Sequence, residues 1–585
     1  MRHQWPAVLA SGVLCAAVIA PLRAQGVSGA AIDGVVVSSA SSAPVSGAAV
    51  IVRSAATGAR LELRTAPDGR FLVENLPPGG PYTVLVRAAG FAAAERDSVI
   101  LALGQRLRLI VRLTAQPTAL APVRVVGASL PGASRTGASH MVSDSAIRRL
   151  PLLSRDFTEL IQTAPGVVGT SVGGANNRFN NILIDGGSDN DFFGLSRGTG
   201  TPGGQEGARS LPLEAVQQFD VLSAPYDVRQ GSFTGGQINA VTRSGTNDVH
   251  GSLFGFFENQ SLVGDNPNGT HAPRFDTYQY GGSLGGPIVR DRVHYFVAAE
   301  LRHRATPFGG PEIAPGSSVG IPVDSANRFA SLLRQYGIDA GSYGPFSTIA
   351  DAANVFGKLS VATGASGLLD LSVTYAHGAT TDSIAPARAA NGDYRLTSAG
   401  FSPNATTWST RARWTTLLGR RFSNEALVGV SSTDEPRTAA SGAPAVFVSN
   451  VGNAGTRLIA GADPSSQRLG LHQRWTELTD NLTAAFGAHT VTVGAQAELL
   501  HFSFSNFSSA IGQYQFLNLD SLAAGRPSRF IRNVALDPDA ATADFGVGIG
   551  GLYAQDAWRV TDALRATVGL RLDLMHFPAQ PHANP

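Results

Sequence analysis

"FTGGQINAVTRSGTNDVHGSLFGFF", residues Phe233 to Phe257, changes its chemistry part-way along. Up to Arg243 it reads as a buried strand, with Ile238, Ala240 and Val241 in a short run of strand formers. Past Ser244-Gly245-Thr246-Asn247 the core-like run stops. Gly, Ser and Phe take over, and the chain keeps a different habit from there on.

That habit is strict alternation. Tyr278, Tyr280, Gly282 and Leu284 share one flank, while Thr277, Gln279, Gly281 and Ser283 share the other. Val293, Tyr295, Val297, Ala299 and Leu301 oppose Arg292, His294 and Glu300. Leu369, Leu371, Val373 and Tyr375 oppose Asp370, Ser372 and Thr374. Trp408, Ala412 and Trp414 oppose Ser409, Arg411 and Arg413. The pattern recurs with Val491 to Leu499 and with Leu564 to Leu572. Alternation alone is a half-buried strand of any antiparallel sheet. Three further features point to a membrane barrel. The segments run about 9–11 residues, the span of a tilted transmembrane strand. Tyr and Trp sit near segment ends, as an interfacial girdle requires. Connections are unequal, with "RVTDAL" (559–564) short and 306–352 long, as inner turns and outer loops are. A lipid-facing Arg costs about 2–4 kcal/mol at midplane, so Arg411, Arg413 and Arg571 are expected to face a wet lumen. Roughly 12–14 such segments are expected by this reading. The chain ends in "HFPAQPHANP", without an aromatic terminal strand, and the barrel is expected to be incomplete at its carboxyl end.

The totals agree with an all-β chain. Among 585 residues, Lys and Arg number 45 against 43 Asp and Glu, and charged residues are 15%, below the globular norm of about 25%. A net charge of +2 leaves no basic face for nucleic acid. Arg2 and His3 precede an apolar run from Ala7 to Ala20. This reads as a secretory signal over residues 1–24, cleaved near Ala24–Gln25. Cys15, the sole cysteine, lies within it, so the mature chain has no thiol for a disulfide or for nucleophilic chemistry. No other segment is suited to cross a membrane as a helix, but a closed β-barrel remains open to an exported chain.

Residues 25–115 form a first unit. "AAVIVRS" (48–54), "RFLVENL" (70–76), "PYTVLVRA" (81–88) and "QRLRLIVRL" (105–113) are short strands broken by Pro67-Asp68-Gly69 and Pro77-Pro78-Gly79-Gly80. The pattern resembles the carboxypeptidase regulatory-like domain, a prealbumin-like sandwich. No His-x-x-Glu zinc pair occurs in the chain, so the sandwich reads as an accessory module, with carbohydrate contact one of its expected uses. A Pro-, Ala-, Gly- and Ser-rich linker follows over 116–139. Its strip "APVRVVGA" (121–128) is either a leftover edge strand or a peptide for strand addition. Residues 140–246 read as a mixed α/β unit. "SRDFTELIQTAPGV" (154–167) is expected to be a helix capped by Ser154 and stopped at Pro165-Gly166. "FNNILIDGG" (179–187) reads as a strand, and "SLPLEAVQQFDVL" (210–222) as a short helix leading into another.

In this order the pieces resemble a TonB-dependent outer-membrane receptor, of the subgroup with an Oar-like barrel and an amino-terminal carboxypeptidase regulatory-like extension. The resemblance is carried by "LPLLSRDFTELIQTAPGV", "NRFNNILIDG", "LPLEAVQQFDVLSAPYDVRQGSFTGGQINAVTRSGTNDVHGS", "QYGGSLGGPIVRDRVHYFVAAE" and "YAQDAWRVTDALRATVGLRLD". It implies a mainly β fold: sandwich, α/β plug over 140–246, then an antiparallel transmembrane barrel over 247–585. Ser244–Asn247 is then the handover from plug to barrel. It further implies a plug motif of Asn180, Asp185, Gly186, Asn239, Thr242 and Arg243. It also implies a strip, Pro122, Val123, Arg124, Val125 and Val126, gripped by a TonB-type energy-transducing protein. The implied surroundings are outer-membrane lipid, with the sandwich and linker in the periplasm, and the implied cargo is a bulky solute, for which iron chelates, glycans, peptides and protein export all stay open. Arg229, Arg243 and Glu214 either tie plug to wall, as in the family, or are solvated loop charges. No cofactor, metal or catalysis is implied. An adhesion or carbohydrate-binding protein anchored by its barrel is the alternative.

Other motifs dissolve in context. Gly169-Thr170-Ser171-Val172-Gly173 fits a nucleophile pattern but lies among Gly and Asn, not at a strand–elbow–helix. Gly198 to Gly203 fits G-x-G-x-x-G, but no strand leads into it and Pro202 interrupts it. Asp185, Asp189, Asn190 and Asp191 form the best oxygen cluster for a hard cation, with turn chemistry the plainer reading.

Overall fold

A computed structural model describes residues 29–578 except 117–122, 125–138, 151–154, 156, 194–200, 205–206, 224–225, 232, 266–268, 270, 272–273, 308–311, 317–318, 382, 385–388, 391, 454, 537–540 and 562–563. The signal segment with Cys15, and Pro122, Val125, Val126, Ser154, Gly198 and Gly200, lie outside the described residues.

The amino-terminal unit is a seven-stranded sandwich. Strands β1 (Ala30–Ser38), β4 (Arg70–Leu76) and β7 (Arg106–Leu113) form one sheet. Strands β2 (Ala49–Ser54), β3 (Arg60–Arg64), β5 (Gly79–Arg87) and β6 (Ala94–Leu101) form the other, which the two-residue β8 (Val123–Arg124) joins at its edge. Alternation works as the sequence suggests: Leu107, Leu109, Val111 and Leu113 point inward with Ile32, Val50, Val84 and Val86.

The central unit is a five-stranded mixed sheet of β9 (Ser139–Ser143), β12 (Asn181–Ile184), β13 (Gly187–Ser188), β14 (Val216–Leu222) and β15 (Gln237–Thr242), in the order β13-β12-β15-β14-β9. A small hairpin, β10 (Val167–Val168) with β11 (Ser171–Val172), holds the G-x-S-x-G stretch. Ser171 spends its hydroxyl on the Ala175 carbonyl at 2.6 Å, so no nucleophile elbow exists there. The expected helix is one turn, Phe157–Ile161. The expected second helix is a 3-10 turn, Leu213–Ala215, before β14: between Pro212 and the strand that starts at Val216 there are too few residues to propagate a helix.

From His250 onward the chain builds one antiparallel sheet of eleven strands in hairpin order. These are β16 (His250–Asn259), β17 (Asp276–Val289), β18 (Val293–Pro307), β19 (Ser347–Ala362), β20 (Gly367–Thr381), β23 (Phe401–Leu418), β24 (Phe422–Ala439), β27 (Leu469–Phe486), β28 (His489–Asn506), β31 (Thr542–Arg559) and β32 (Arg565–His576). Among the described residues the sheet has eleven strands, fewer than the expected 12–14. Most run 14 to 18 residues, more than the 9–11 that cross hydrocarbon. The surplus lies toward the long connections. There, outward-facing pairs such as His303–Asp351 at 2.6 Å and His472–Asp434 at 2.7 Å mark groups that belong in water. Below them the outward flank is apolar: Val297, Val355, Val373, Val428, Leu478, Leu499 and Leu570 are all exposed. Tyr375 and Trp408 face each other across one ladder toward the outer end, and Trp414, Phe422, Phe486 and Trp558 sit near the short turns. Ser409, Arg411 and Arg413 are buried on the opposite flank, as charge requires. No helix of the described residues is long and apolar enough to cross a membrane.

The long connections are not loose loops. Strands β21 (Ala389–Ala390), β22 (Asp393–Arg395), β25 (Ala445–Ser449), β26 (Arg457–Ala460), β29 (Gln513–Phe516) and β30 (Arg529–Ile531) form a six-stranded sheet. Helix Val323–Gln335 packs on it through Ala326, Phe329, Leu332 and Leu333, spaced along one face. This outer lobe has its own core of Phe329, Tyr394, Val448, Leu458 and Leu522. The sequence reading missed it, because its strands are two to five residues long and come from different connections.

An Arg placed between the two aromatic girdles meets hydrocarbon. Val373→Arg is expected to lose about 2–4 kcal/mol of folding stability in lipid vesicles, while Val373→Leu loses little. Urea titration of refolded protein measures the difference.

Candidate functional site between wall and central unit

The concave flank of the eleven-stranded sheet holds the central unit, and polar contacts hold the two together. They come from many strands. Glu214 accepts from Ser252 of β16 at 3.0 Å and from Arg155 at 3.0 Å. Arg209 pairs with Glu300 of β18 at 3.1 Å. Glu435 of β24 accepts from the Gly203 amide at 2.8 Å. Gln555 of β31 and Arg571 of β32 take the amide and carbonyl of Val228 at 3.1 and 3.2 Å.

Two nodes are fully buried. At the first, Arg411 of β23 donates to the Ser188 carbonyl at 2.8 Å and to Asp189 at 3.3 Å, while Glu477 of β27 accepts from the Ser188 amide at 3.1 Å. Gly187 lies against Arg411, where a Cβ would come within 2.7 Å of Nε, so the position admits only glycine without moving the guanidinium. At the second node, Lys358 of β19 donates to Asp185 at 3.1 Å and to the Thr242 hydroxyl at 3.0 Å. Asp185 also accepts from the Thr242 amide at 2.8 Å. Its backbone is left-handed, with φ 50, which Asp tolerates better than most residues. Burial opposes ionisation of Asp185, but the Lys358 and Arg413 cations and the two Thr242 hydrogen bonds outweigh it and hold the carboxyl below its ordinary range.

The structure thus brings Asp185 and Thr242 of the expected motif together, with Gly186 beside them at φ 87 to turn the chain. Asn180 acts elsewhere: it donates to the Thr170 carbonyl at 2.7 Å and accepts from the Gly236 amide at 3.1 Å, fixing the start of β12 to the approach of β15. Asn239 is buried within β15. Arg243 reaches Asp144 and the Val216 carbonyl, both inside the central unit. Arg229 closes on Asp227 through two bonds of 2.8 and 2.6 Å. Of the three charges read as ties to the wall or as solvated loop charges, only Glu214 reaches the wall. The other two have nearer acidic partners within their own unit. The oxygen cluster is dispersed as well: Asp185 faces Lys358, Asp189 faces Arg411, and Asn190 accepts from the Ile182 amide at 2.7 Å. Of the strip, only the backbone of Val123 and Arg124 is described; it pairs with β6.

Lys358 escaped the sequence reading, yet a signal was present. It is the only lysine in the chain; every other cation among the 45 Lys and Arg is arginine. It lies in the inward register of β19, and its side chain is 5% exposed. An ammonium is a compact point charge with three donors, and it fits a carboxylate and hydroxyl at the end of a strand where a planar fork would not.

Two family models match the chain: the carboxypeptidase regulatory-like domain over residues 31–114, and the outer membrane beta barrel domain over 241–308 and 365–584. The TonB-dependent transporter Oar of Myxococcus xanthus is 30% identical over 311 residues, covering 49% of this chain and 28% of its own length. The probable TonB-dependent siderophore receptor PirA of Acinetobacter baumannii is 26% identical over 171 residues, 26% of this chain and 21% of its own. The outer membrane transporter YddB of Escherichia coli has a similar fold, with a TM-score of 0.54 at 14% identity over 75% of this chain and 56% of its own. The chain therefore spans less than two thirds of the length of each of these three proteins.

Removing Lys358 strands a buried carboxylate. Lys358→Met is expected to cost about 3–5 kcal/mol in the stability of the central unit, and Asp185→Asn added to it is expected to recover part of the loss. Limited proteolysis within 139–242 against urea reads both. The Asp185 contribution carries a pH signature. Because its folded pKa is depressed, the contribution is complete above the unfolded value of about 3.9 and fades as pH falls through the lower folded value. In Asp185→Asn this part of the acid-induced loss disappears from the urea midpoint plotted against pH.

Proposed function

From the premise that this chain is an outer-membrane β-barrel protein with a carboxypeptidase regulatory-like domain, homologous to TonB-dependent transporters, we propose that it is an energy-coupled receptor moving a bulky solute across that membrane. The central unit is then the plug. One observation carries the reading: a folded unit fills the concave side of the sheet and is joined to at least seven strands by hydrogen bonds and ion pairs. Water entering a lumen can replace such contacts singly, so the unit can be moved without exposing a large apolar face. Pro122 to Val126 is the strip a TonB-type partner grips, since backbone strand addition transmits force with little demand on side chains. The outer lobe supplies the surface that meets the solute first. The reading needs no catalysis: the relatives are transporters and receptors.

Uptake measures the proposal. Cells stripped of their own receptors and expressing the full chain are given an iron-labelled catecholate chelate, a fluorescent peptide and a fluorescent oligosaccharide, with and without a protonophore. Accumulation of at least one probe that falls to the empty-vector level on collapse of the gradient is expected. Probe bound at the surface but never accumulated contradicts transport and favours a barrel-anchored adhesin.

A further inference from the structure

On the inward flank of the wall, Glu477 of β27 lies directly opposite Glu498 of β28. Both are buried. Side chains so placed have Cβ atoms about 4.5–5.5 Å apart, and like charges there repel. Glu477 has partners: it accepts from the Ser188 amide at 3.1 Å and from the Thr479 hydroxyl at 3.3 Å. Glu498 accepts from Gln496 at 2.6 Å through Oε1, while its Oε2 is buried without a partner. The neighbouring arginines do not cancel the pair, because each has a carboxylate of its own. Arg411 bonds Asp189 at 3.3 Å, Arg571 bonds Asp573 at 2.7 Å and Arg229 bonds Asp227 at 2.6 Å. The negative charges of the two glutamates are left over.

The two glutamates open on a cavity of about 20 Å³ between wall and central unit. Gln237, the first residue of β15, lines the same cavity. It is fully buried, and neither polar atom of its carboxamide has a partner. Gln230 lines the cavity as well, with its side-chain oxygen buried and unpartnered. An unpaired buried amide is costly. Two of them, gathered with a spare carboxylate oxygen around one small space, are the lining of a ligand site rather than of a packed interface.

We propose that Glu477, Glu498, Gln230 and Gln237 bind one calcium ion, which staples the central unit to the wall. The oxygens on offer are two carboxylates and two amide carbonyls, the hard donors that calcium takes. Among the described residues no three His, Cys, Asp or Glu side chains gather around one point, so the amide oxygens are full members of the set. The leftover charge selects a divalent ion over a monovalent one. Size selects calcium over magnesium: magnesium keeps several of its waters, and a space of this volume admits about one. A proton shared by the glutamates would relieve their repulsion but would leave both amides unpaired. The carboxylates belong to the wall and the amides to the central unit, so the ion bridges the two. The site does not depend on the transport reading, since the staple would serve a receptor and an anchored adhesin alike.

Calorimetric titration of calcium chloride into the full chain, freed of metal by a chelator and held in lipid nanodiscs, tests this. One ion per chain is expected, with a Kd in the range of extracellular sites, about 0.1–1 mM. Glu498→Gln and Gln237→Leu are each expected to weaken binding by about tenfold or more. Calcium is also expected to raise the urea concentration at which protease cuts within 139–242 in the native chain, and not in Glu498→Gln. That variant keeps the shape of the side chain, and its heat-modifiable mobility on gels reports whether the barrel is folded. No calcium binding by the native chain overturns the site, and so does equal binding by the native chain and both folded variants. A native urea midpoint that ignores calcium but rises as pH falls assigns the pair a shared proton and overturns the cation. Each of these failures leaves the receptor reading intact.

Discussion

Hydrocarbon offers a backbone amide no partner, and that absence shapes most of this molecule. Each of the nine inner strands answers it by pairing on both sides along most of its length, as in the seventeen-position register of β28 against β31, while β16 and β32 at the two ends of the sheet pair on one side. Once the backbone is settled in this way, side chains can only point to one flank or the other. Valine and leucine cover the outward flank, and Ser409, Arg411, Lys358 and Glu477 occupy the inward one. An aromatic girdle and, beyond it, His–Asp pairs mark where hydrocarbon gives way to water.

The inward polarity then dictates how the central unit is held. A wall lined with arginine, glutamate and threonine cannot offer an apolar seat over most of its area. Among the described residues two apolar patches join them: Phe296, Ala298 and Phe356 extend the core of the central unit into the wall, and Phe192 and Phe193 pack on Trp475, Phe502 and Phe504. Elsewhere the attachment is a set of discrete charged and hydrogen-bonded nodes. Buried charges of this sort contribute little net stability when paired and cost several kcal/mol when a partner is removed.

Much of the architecture was legible before any coordinates. Period two, girdle residues and unequal connections are properties of single segments, so β17, β18, β20, β23 and β28 announce their facing in their own letters. Ser244–Asn247, where the alternation begins, lies between the end of β15 at Thr242 and the start of β16 at His250. What stayed hidden depends on assembly. The outer lobe draws short strands from separate connections, and no one of them carries a pattern long enough to read. Arg243 and Arg229 could be named as charged, but their nearest acids, Asp144 and Asp227, are chosen by the folded chain. Lys358 is the instructive omission. Its uniqueness was visible as a count, whereas its role needed the register that brings β19 beside Asp185.

The central claim is that the long strands separate hydrocarbon from water residue by residue. Spin labels placed singly at 490 to 499 of β28, in a Cys15→Ser background and in lipid bilayers, test it most directly through collision with dissolved oxygen and with an aqueous nickel chelate. Labels at 491, 493, 495, 497 and 499 should favour oxygen, and those at 490, 492, 494, 496 and 498 should not, giving a sawtooth of period two. A flat profile, or a sawtooth of the opposite phase, would contradict the account.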